Sequence, residues 1–134
     1  MSLELIQKLF QLKISKDLNE SITEDEIRNI VKNLSNNKAG GYDRILNEYI
    51  KSTIDQCIYI YVKLFNLVFD SGFFPECWTV GIIRPLYKNK GDPTNPENYR
   101  PITLLSCMDK VVTAILNRRL CIISEEYNIL NKNQ

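Results

Sequence analysis

The side chains best suited to ionic chemistry in this sequence lie close together in its second half. Lys88 and Lys90 fall in a stretch crowded with turn formers, Lys88-Asn89-Lys90-Gly91-Asp92-Pro93, and Arg100 follows shortly after it, beside Tyr99. Ammonium and guanidinium groups on a turn can grip phosphate or carboxylate oxygens, and arginine can do so through two parallel N–H bonds. Cations on turns are more often simply solvated, and spacing alone favours that reading. The carboxylates are less suggestive. Asp43 and Asp92 are single acids in loop sequence, no Asp-Asp pair occurs, and Glu24-Asp25-Glu26 reads as the acidic first turn of a helix.

Composition removes several other chemistries. Histidine is absent, which excludes the usual neutral-pH general base, the histidine-assisted serine and cysteine nucleophiles, and the commonest zinc ligand. Cys57, Cys77, Cys107 and Cys121 form no C-x-x-C pair and mostly have apolar neighbours, so free and mostly buried thiols in a reducing compartment are expected. With 17 basic and 16 acidic residues the net charge is +1, so any nucleic-acid binding must come from a local patch. The first fifteen residues interleave Leu5, Leu9 and Leu12 with Glu4, Lys8 and Lys13, unlike a signal peptide. No window has the apolar length of a membrane span. A soluble, intracellular protein is the expectation.

The elements that must position these groups are legible in part. Residues 1–19 form a weakly amphipathic lead-in. Thr23 and Glu26 make a capping box, with Ile22 and Ile27 as its hydrophobic staple, and predict a helix from Glu24 to Leu34. The stretch from Ser35 to Asp43 is a turn in which Gly40 and Gly41 could take positive φ. A short helix over Asn47–Lys51 and a longer one over Thr53–Ser71, closed by Gly72, come next. A strand is expected over Thr79–Leu86, with Pro85 near its edge, then a surface loop over Tyr87–Asn98 and a second strand over Tyr99–Leu105. Ser106 should open a last helix, with Asp109 as a capping acid and Val112, Ile115, Leu116, Leu120 and Ile123 as its buried stripe. Phe73, Phe74 and Trp78 could stack on bases, but beside Pro75 and Cys77 they read better as core packing. The class is α+β: a helix-rich fragment with a small antiparallel sheet, whose exposed edges would invite aggregation.

Three stretches carry a family signal. Asn37-Lys38-Ala39-Gly40-Gly41-Tyr42-Asp43-Arg44-Ile45, then Phe73-Phe74-Pro75-Glu76-Cys77-Trp78, then Ile83 to Asp92 continuing through Asn98-Tyr99-Arg100-Pro101-Ile102-Thr103-Leu104-Leu105-Ser106, resemble in order and spacing the opening motifs of reverse transcriptases of non-LTR (LINE-type) retrotransposons. The resemblance covers residues 20–134. It implies the fingers of a right-hand polymerase, truncated before the palm motifs that supply the catalytic aspartates. By that likeness Arg100, with Lys88 and Lys90, would contact the incoming nucleotide from a mobile loop, and Asn37, Lys38 and Gly41 would lie along the template. The implied partners are an RNA template, a DNA primer and a deoxynucleoside triphosphate. Mg2+ or Mn2+ would serve the full-length enzyme, with no metal residue in this piece, which alone should polymerise nothing. Nuclear or cytoplasmic ribonucleoprotein localisation would follow. The other reading is a non-catalytic nucleic-acid- or protein-binding module derived from such an element. The chain departs from the family where Gly40 and Tyr42 replace common prolines and where Arg44 and Asp109 replace common glycines; a site needing positive φ would strain Arg44.

Overall fold

The computed structural model describes residues 16–127, so the lead-in spacing of Leu5, Leu9 and Leu12 lies outside the described residues. Among them 57% are helical, and the rest is built around one two-stranded antiparallel sheet, an α+β arrangement. The order is α1 (Glu24–Lys32), α2 (Asn47–Ser71), α3 (Glu76–Thr79), β1 (Ile82–Tyr87), a 3-10 turn (Pro96–Asn98), β2 (Tyr99–Leu104) and α4 (Cys107–Glu126).

The first helix begins as its sequence dictates. Thr23 Oγ1 accepts from the Glu26 N–H and the Glu26 carboxylate accepts from the Thr23 N–H, so both halves of the capping box are present. Ile22 and Ile27 are both buried. Asn66 on α2 then clamps the entry to α1, its Oδ1 accepting from the Ile22 N–H at 2.6 Å and its Nδ2 donating to the Ile22 carbonyl at 2.9 Å.

The expected break between a short and a long helix after Lys51 does not occur; Asn47–Ser71 is one helix of 25 residues. Ser52 and Thr53 suggested a boundary, but their hydroxyls donate back to the Tyr49 carbonyl at 3.0 and 2.8 Å, so the helix absorbs them. Gly72 stops it at φ 65, its N–H returning to Val68 O. The strand expected from Thr79 begins only at Ile82, and Glu76–Thr79 winds instead into the single turn of α3. The turn glycines are also corrected: neither Gly40 nor Gly41 has positive φ, and Asn37 (57°) and Arg44 (58°) take the left-handed positions instead.

The core lies between α1, α2 and α4, with Trp78 of α3 at its end. Phe65 and Trp78 meet edge to face, with ring centroids 6.2 Å apart. Phe74 is half-buried against the same cluster, so the packing reading holds for both, whereas Phe73 is 74% exposed. Each fully buried side chain of this size contributes roughly 1.5–3 kcal/mol. On α4 the buried face is Met108, Val111, Val112, Ile115, Arg119 and Ile123, with Leu116 half-buried. Leu120 is a correction, being 52% exposed. Its neighbour Arg119, only 9% exposed, occupies the inward position. Arg119 bonds the Glu26 carboxylate through Nε at 2.7 Å and Nη2 at 2.8 Å, and the carbonyls of Leu18, Glu20 and Ser21. A guanidinium so fully satisfied can be buried where an aliphatic side chain was expected. The four thiols are free, but only Cys107 is buried; Cys57 and Cys77 are half-buried and Cys121 is exposed.

The strands pair from Ile82 opposite Leu104 to Tyr87 opposite Tyr99, with Pro85 directly opposite Pro101. Two prolines can face each other only at a position where neither N–H would have pointed across the ladder. In agreement, the Lys88 N–H three residues on donates to Asn98 O at 2.8 Å, which is the bonded parity. Each outer edge of the sheet therefore carries a proline at its centre, which blunts the edges expected to invite pairing.

Candidate nucleotide and nucleic-acid contact surface

Directly opposed residues in an antiparallel pair share a face. The register thus sorts the hairpin into two unlike surfaces. One carries Ile82, Arg84, Leu86, Arg100, Ile102 and Leu104; the other carries Ile83, Pro85, Tyr87, Tyr99, Pro101 and Thr103. The second face is aromatic and apolar, with the Tyr87 and Tyr99 rings 5.3 Å apart.

Those tyrosines brace the loop between the strands. Tyr87 Oη donates to Gly91 O at 2.5 Å, and Tyr99 Oη to Pro93 O at 2.9 Å. Asp92 Oδ1 accepts from the Thr94 N–H, Asn98 Nδ2 donates to Asp92 O, and Lys88 Nζ donates to Glu97 O at 2.7 Å. The loop is exposed, as expected, and many of its polar groups are bonded to one another. The Asp92 carboxyl is held below its ordinary range by the Thr94 backbone N–H.

The sequence-derived cations fall on this hairpin in different circumstances. Arg100 stands on β2 opposite Leu86, exposed, its guanidinium without a hydrogen bond or ion pair among the described residues. Lys90 is exposed at the tip and likewise has no ion pair among the described residues. Lys88 is exposed but partly committed to the loop through Glu97 O.

The turn after α1 approaches the Arg84/Arg100 face. Ala39, Gly40, Gly41, Arg44 and Leu46 on one side, with Ile82, Arg84, Leu86, Ile102 and Leu104 on the other, enclose a groove of about 610 Å3. Gly41 is buried because the turn meets the β2–α4 junction there. A Cβ on it would sit 2.5 Å from Ser106 N and 2.6 Å from Leu105 C. That contact is locked by Asp43, whose Oδ2 accepts from Ser106 Oγ at 2.5 Å while its Oδ1 accepts from the Ile45 N–H at 3.1 Å. Ser106 Oγ in turn accepts from Met108 N–H and caps α4; Asp109 sits in the first turn, its carboxyl pushed up by burial. Asn37 and Lys38 are exposed on the same turn but outside the groove lining. The Asn37 N–H is held by the Glu48 carboxylate, which lowers the pKa of Glu48.

The structure adds two residues to the candidate site, Arg84, which sequence reasoning did not single out, and Arg44, noted there only as a departure from a common glycine. Neither has a carboxylate partner among the described residues, and the groove lining contains no acid. Arg28 is neutralised by Glu24 and Asp55 and Arg119 by Glu26, whereas Arg118 on α4 likewise has no carboxylate partner among the described residues. The missing signal was the register. Once Pro85 is set opposite Pro101, period-2 alternation puts Arg84 and Arg100 on one face. Among the described residues no three His, Cys, Asp or Glu side chains converge as a metal site, and no helix is long and apolar enough to cross a membrane.

No protein-family profile matches the chain. Individual proteins do. The RNA-directed DNA polymerase from mobile element jockey of Drosophila melanogaster is 30% identical over 117 residues, covering 87% of this chain and 12% of that protein. The probable RNA-directed DNA polymerase from transposon X-element of the same fly is 33% identical over 109 residues, covering 81% and 12%. The jockey polymerase of Drosophila funebris is 29% identical over 126 residues, covering 94% and 13%. Over most of its length the chain is thus similar to a segment of RNA-directed DNA polymerases. More narrowly, the polymerases it resembles are those of non-LTR mobile elements. It spans 12–13% of the length of the curated relatives it matches.

Proposed function

We propose that residues 20–134 are the fingers portion of a right-hand polymerase that copies RNA into DNA, with residues 1–19 as a lead-in. In this reading the hairpin receives the triphosphate of an incoming deoxynucleotide through Arg100, with Lys90 and Lys88 assisting, and the turn at Asn37, Lys38 and Gly41 faces the template. The observation that carries it is Arg100: an exposed guanidinium on a braced hairpin, with no ion pair among the described residues. A guanidinium fork matches two phosphate oxygens, and its charge is fully available because no acid competes for it. Lys90 adds a second unpaired cation at the tip. Lys88 would have to exchange Glu97 O for a phosphate oxygen, a hydrogen bond for a charge-assisted one.

Nucleotidyl transfer in this family would use divalent ions held by aspartates. The segment supplies positioning, and RNA template, DNA primer and deoxynucleotide are its proposed partners.

The test is a 1H–15N titration of the chain with dTTP up to about 5 mM, a range that reveals affinities near 4 kcal/mol. Shifts confined to Lys88–Lys90 and Tyr99–Arg100, and lost in Arg100→Ala, are expected. No shift at the hairpin would sink the nucleotide role. Binding of RNA without any nucleotide response would favour a non-catalytic binding module instead.

A further inference from the structure

We propose that the outward face of α2 pairs with the same face of a second copy of this chain, antiparallel and about a two-fold axis beside Leu67. The inference goes beyond the polymerase reading and does not depend on it.

The helix is apolar on two sides. Ile50, Ile54, Phe65 and Val68 are buried in the core. At 3.6 residues per turn, the opposite side carries Tyr59, Ile60, Lys63, Leu67 and Asp70 within about 100° of arc. All of these are exposed, Ile60 at 62% and Leu67 at 66%. Phe73, also exposed, follows one residue past the Gly72 stop. The solvent face of a helix is ordinarily polar, and a helix that is apolar all round is ordinarily covered all round. Four large apolar side chains gathered here amount to a patch on the order of 400 Å2, a size at which exposed apolar surface marks an interaction site.

The charges select the occupant. Lys63 and Asp70 share the stripe two turns apart, with Leu67 between them. Neither forms an ion pair among the described residues. Lys63 Nζ lies 4.4 Å from the centroid of the Tyr59 ring, which keeps the ammonium at this face. A parallel copy would set lysine against lysine and aspartate against aspartate. A two-fold axis reverses the order, so that each Lys63 faces the partner's Asp70 and the Leu67 side chains meet near the axis. Ile60 then comes level with the partner's Phe73. Read along the stripe, the types run apolar, basic, apolar, acidic, apolar, a series that complements itself only when reversed. Opposite charges across an interface fix its register, and a closed pair with one shared patch is the commonest symmetry of soluble assemblies. With about 400 Å2 per partner, against roughly 800 Å2 in a stable complex, the pair is weak, with a Kd on the order of 100 µM.

The experiment is sedimentation equilibrium of the full chain from about 5 to 500 µM, a range that brackets such a Kd. It is run under reducing conditions, so that the exposed Cys121 cannot cross-link copies. The parent should pass from monomer to mostly dimer. Leu67→Glu, which places charge beside the axis, should remain monomeric. Lys63→Glu and Asp70→Lys each set like charges together, and each alone should weaken association at least about tenfold. An equimolar mixture of those two should recover the parent's affinity within about threefold, because each copy then supplies the charge the other lacks. The three positions are exposed, and circular dichroism before sedimentation checks that each variant keeps its helices.

A parent that stays monomeric over the whole range overturns the pairing and leaves the face to an unlike partner. Parent-like association of Leu67→Glu overturns it too, by moving the interface elsewhere. A mixture that associates no better than its components removes the antiparallel arrangement.

Discussion

Arg44 holds a conformation that costs a side-chain-bearing residue roughly 1–2 kcal/mol. Replacing it with glycine removes that strain but loosens the unfolded chain, so Arg44→Gly should gain about 0.5–1 kcal/mol, read from the urea midpoint at unchanged slope. A loss of stability would mean that the arginine side chain packs favourably. Arg119 is the opposite case, with its forks fully engaged inside the fold. Arg119→Met leaves Glu26 and three carbonyls without their donor and should cost about 3 kcal/mol, since breaking one side of a buried pair strands the other. The pair also sets an acid limit. Arg119 beside Glu26, with the Thr23 bonds helping, holds that carboxyl below its ordinary 4.5. A lowered folded pKa contributes stability that is present above about pH 4.5 and lost as pH falls through the folded value. Glu48 and Asp92 act in the same direction, and Asp109, raised by burial, opposes them. Glu26→Gln should therefore lower stability at pH 7 and flatten its decline between about pH 5 and 3, measured by denaturant melts across that range.

At the scale of elements, the turn, the hairpin and α4 form one joint. Gly41 permits backbone contact with Leu105 and Ser106, and Asp43 bonds the hydroxyl that caps α4. Gly41→Ala must push the turn from the β2–α4 junction by more than a side-chain adjustment, because the obstructing atoms are backbone. A loss of at least 2 kcal/mol is expected, the range of overpacking a tight contact. A smaller loss would show that the turn moves freely, and the groove would then not be built by this contact. The strands carry a different device. Pro85 and Pro101 occupy the outward positions of the two edges, so Pro85→Val/Pro101→Val restores an edge N–H on each side. Sedimentation velocity should show concentration-dependent association of that variant at concentrations where the parent is unchanged.

At the scale of the whole molecule, the helices share a core while the hairpin packs chiefly on itself, with the groove between it and the turn. An element with few buried apolar neighbours opens at lower free energy than the core. Hydrogen exchange should therefore protect α1, α2 and α4 amides more strongly than those of β1 and β2, and strand binding should raise hairpin protection selectively. Sequence alone determined the capped start of α1, the stop at Gly72, the alternation of strand, loop and strand, and the positions of Arg100, Lys88 and Lys90, because caps, turns and periodicity act within a few residues. It also carried the kinship with non-LTR polymerases, through motifs that are contiguous along the chain. The unbroken run of α2 through Ser52 and Thr53 is local as well, since their hydroxyls bond the Tyr49 carbonyl one turn back, whereas other features were decided by tertiary structure alone. It decided that Arg119 rather than Leu120 turns inward, because Glu26 and three carbonyls, distant in sequence, gather around that guanidinium. It decided that Arg44 and Arg84 share a groove, because strand register and a glycine-sized approach at Gly41 are set by packing between segments and leave no local pattern to read.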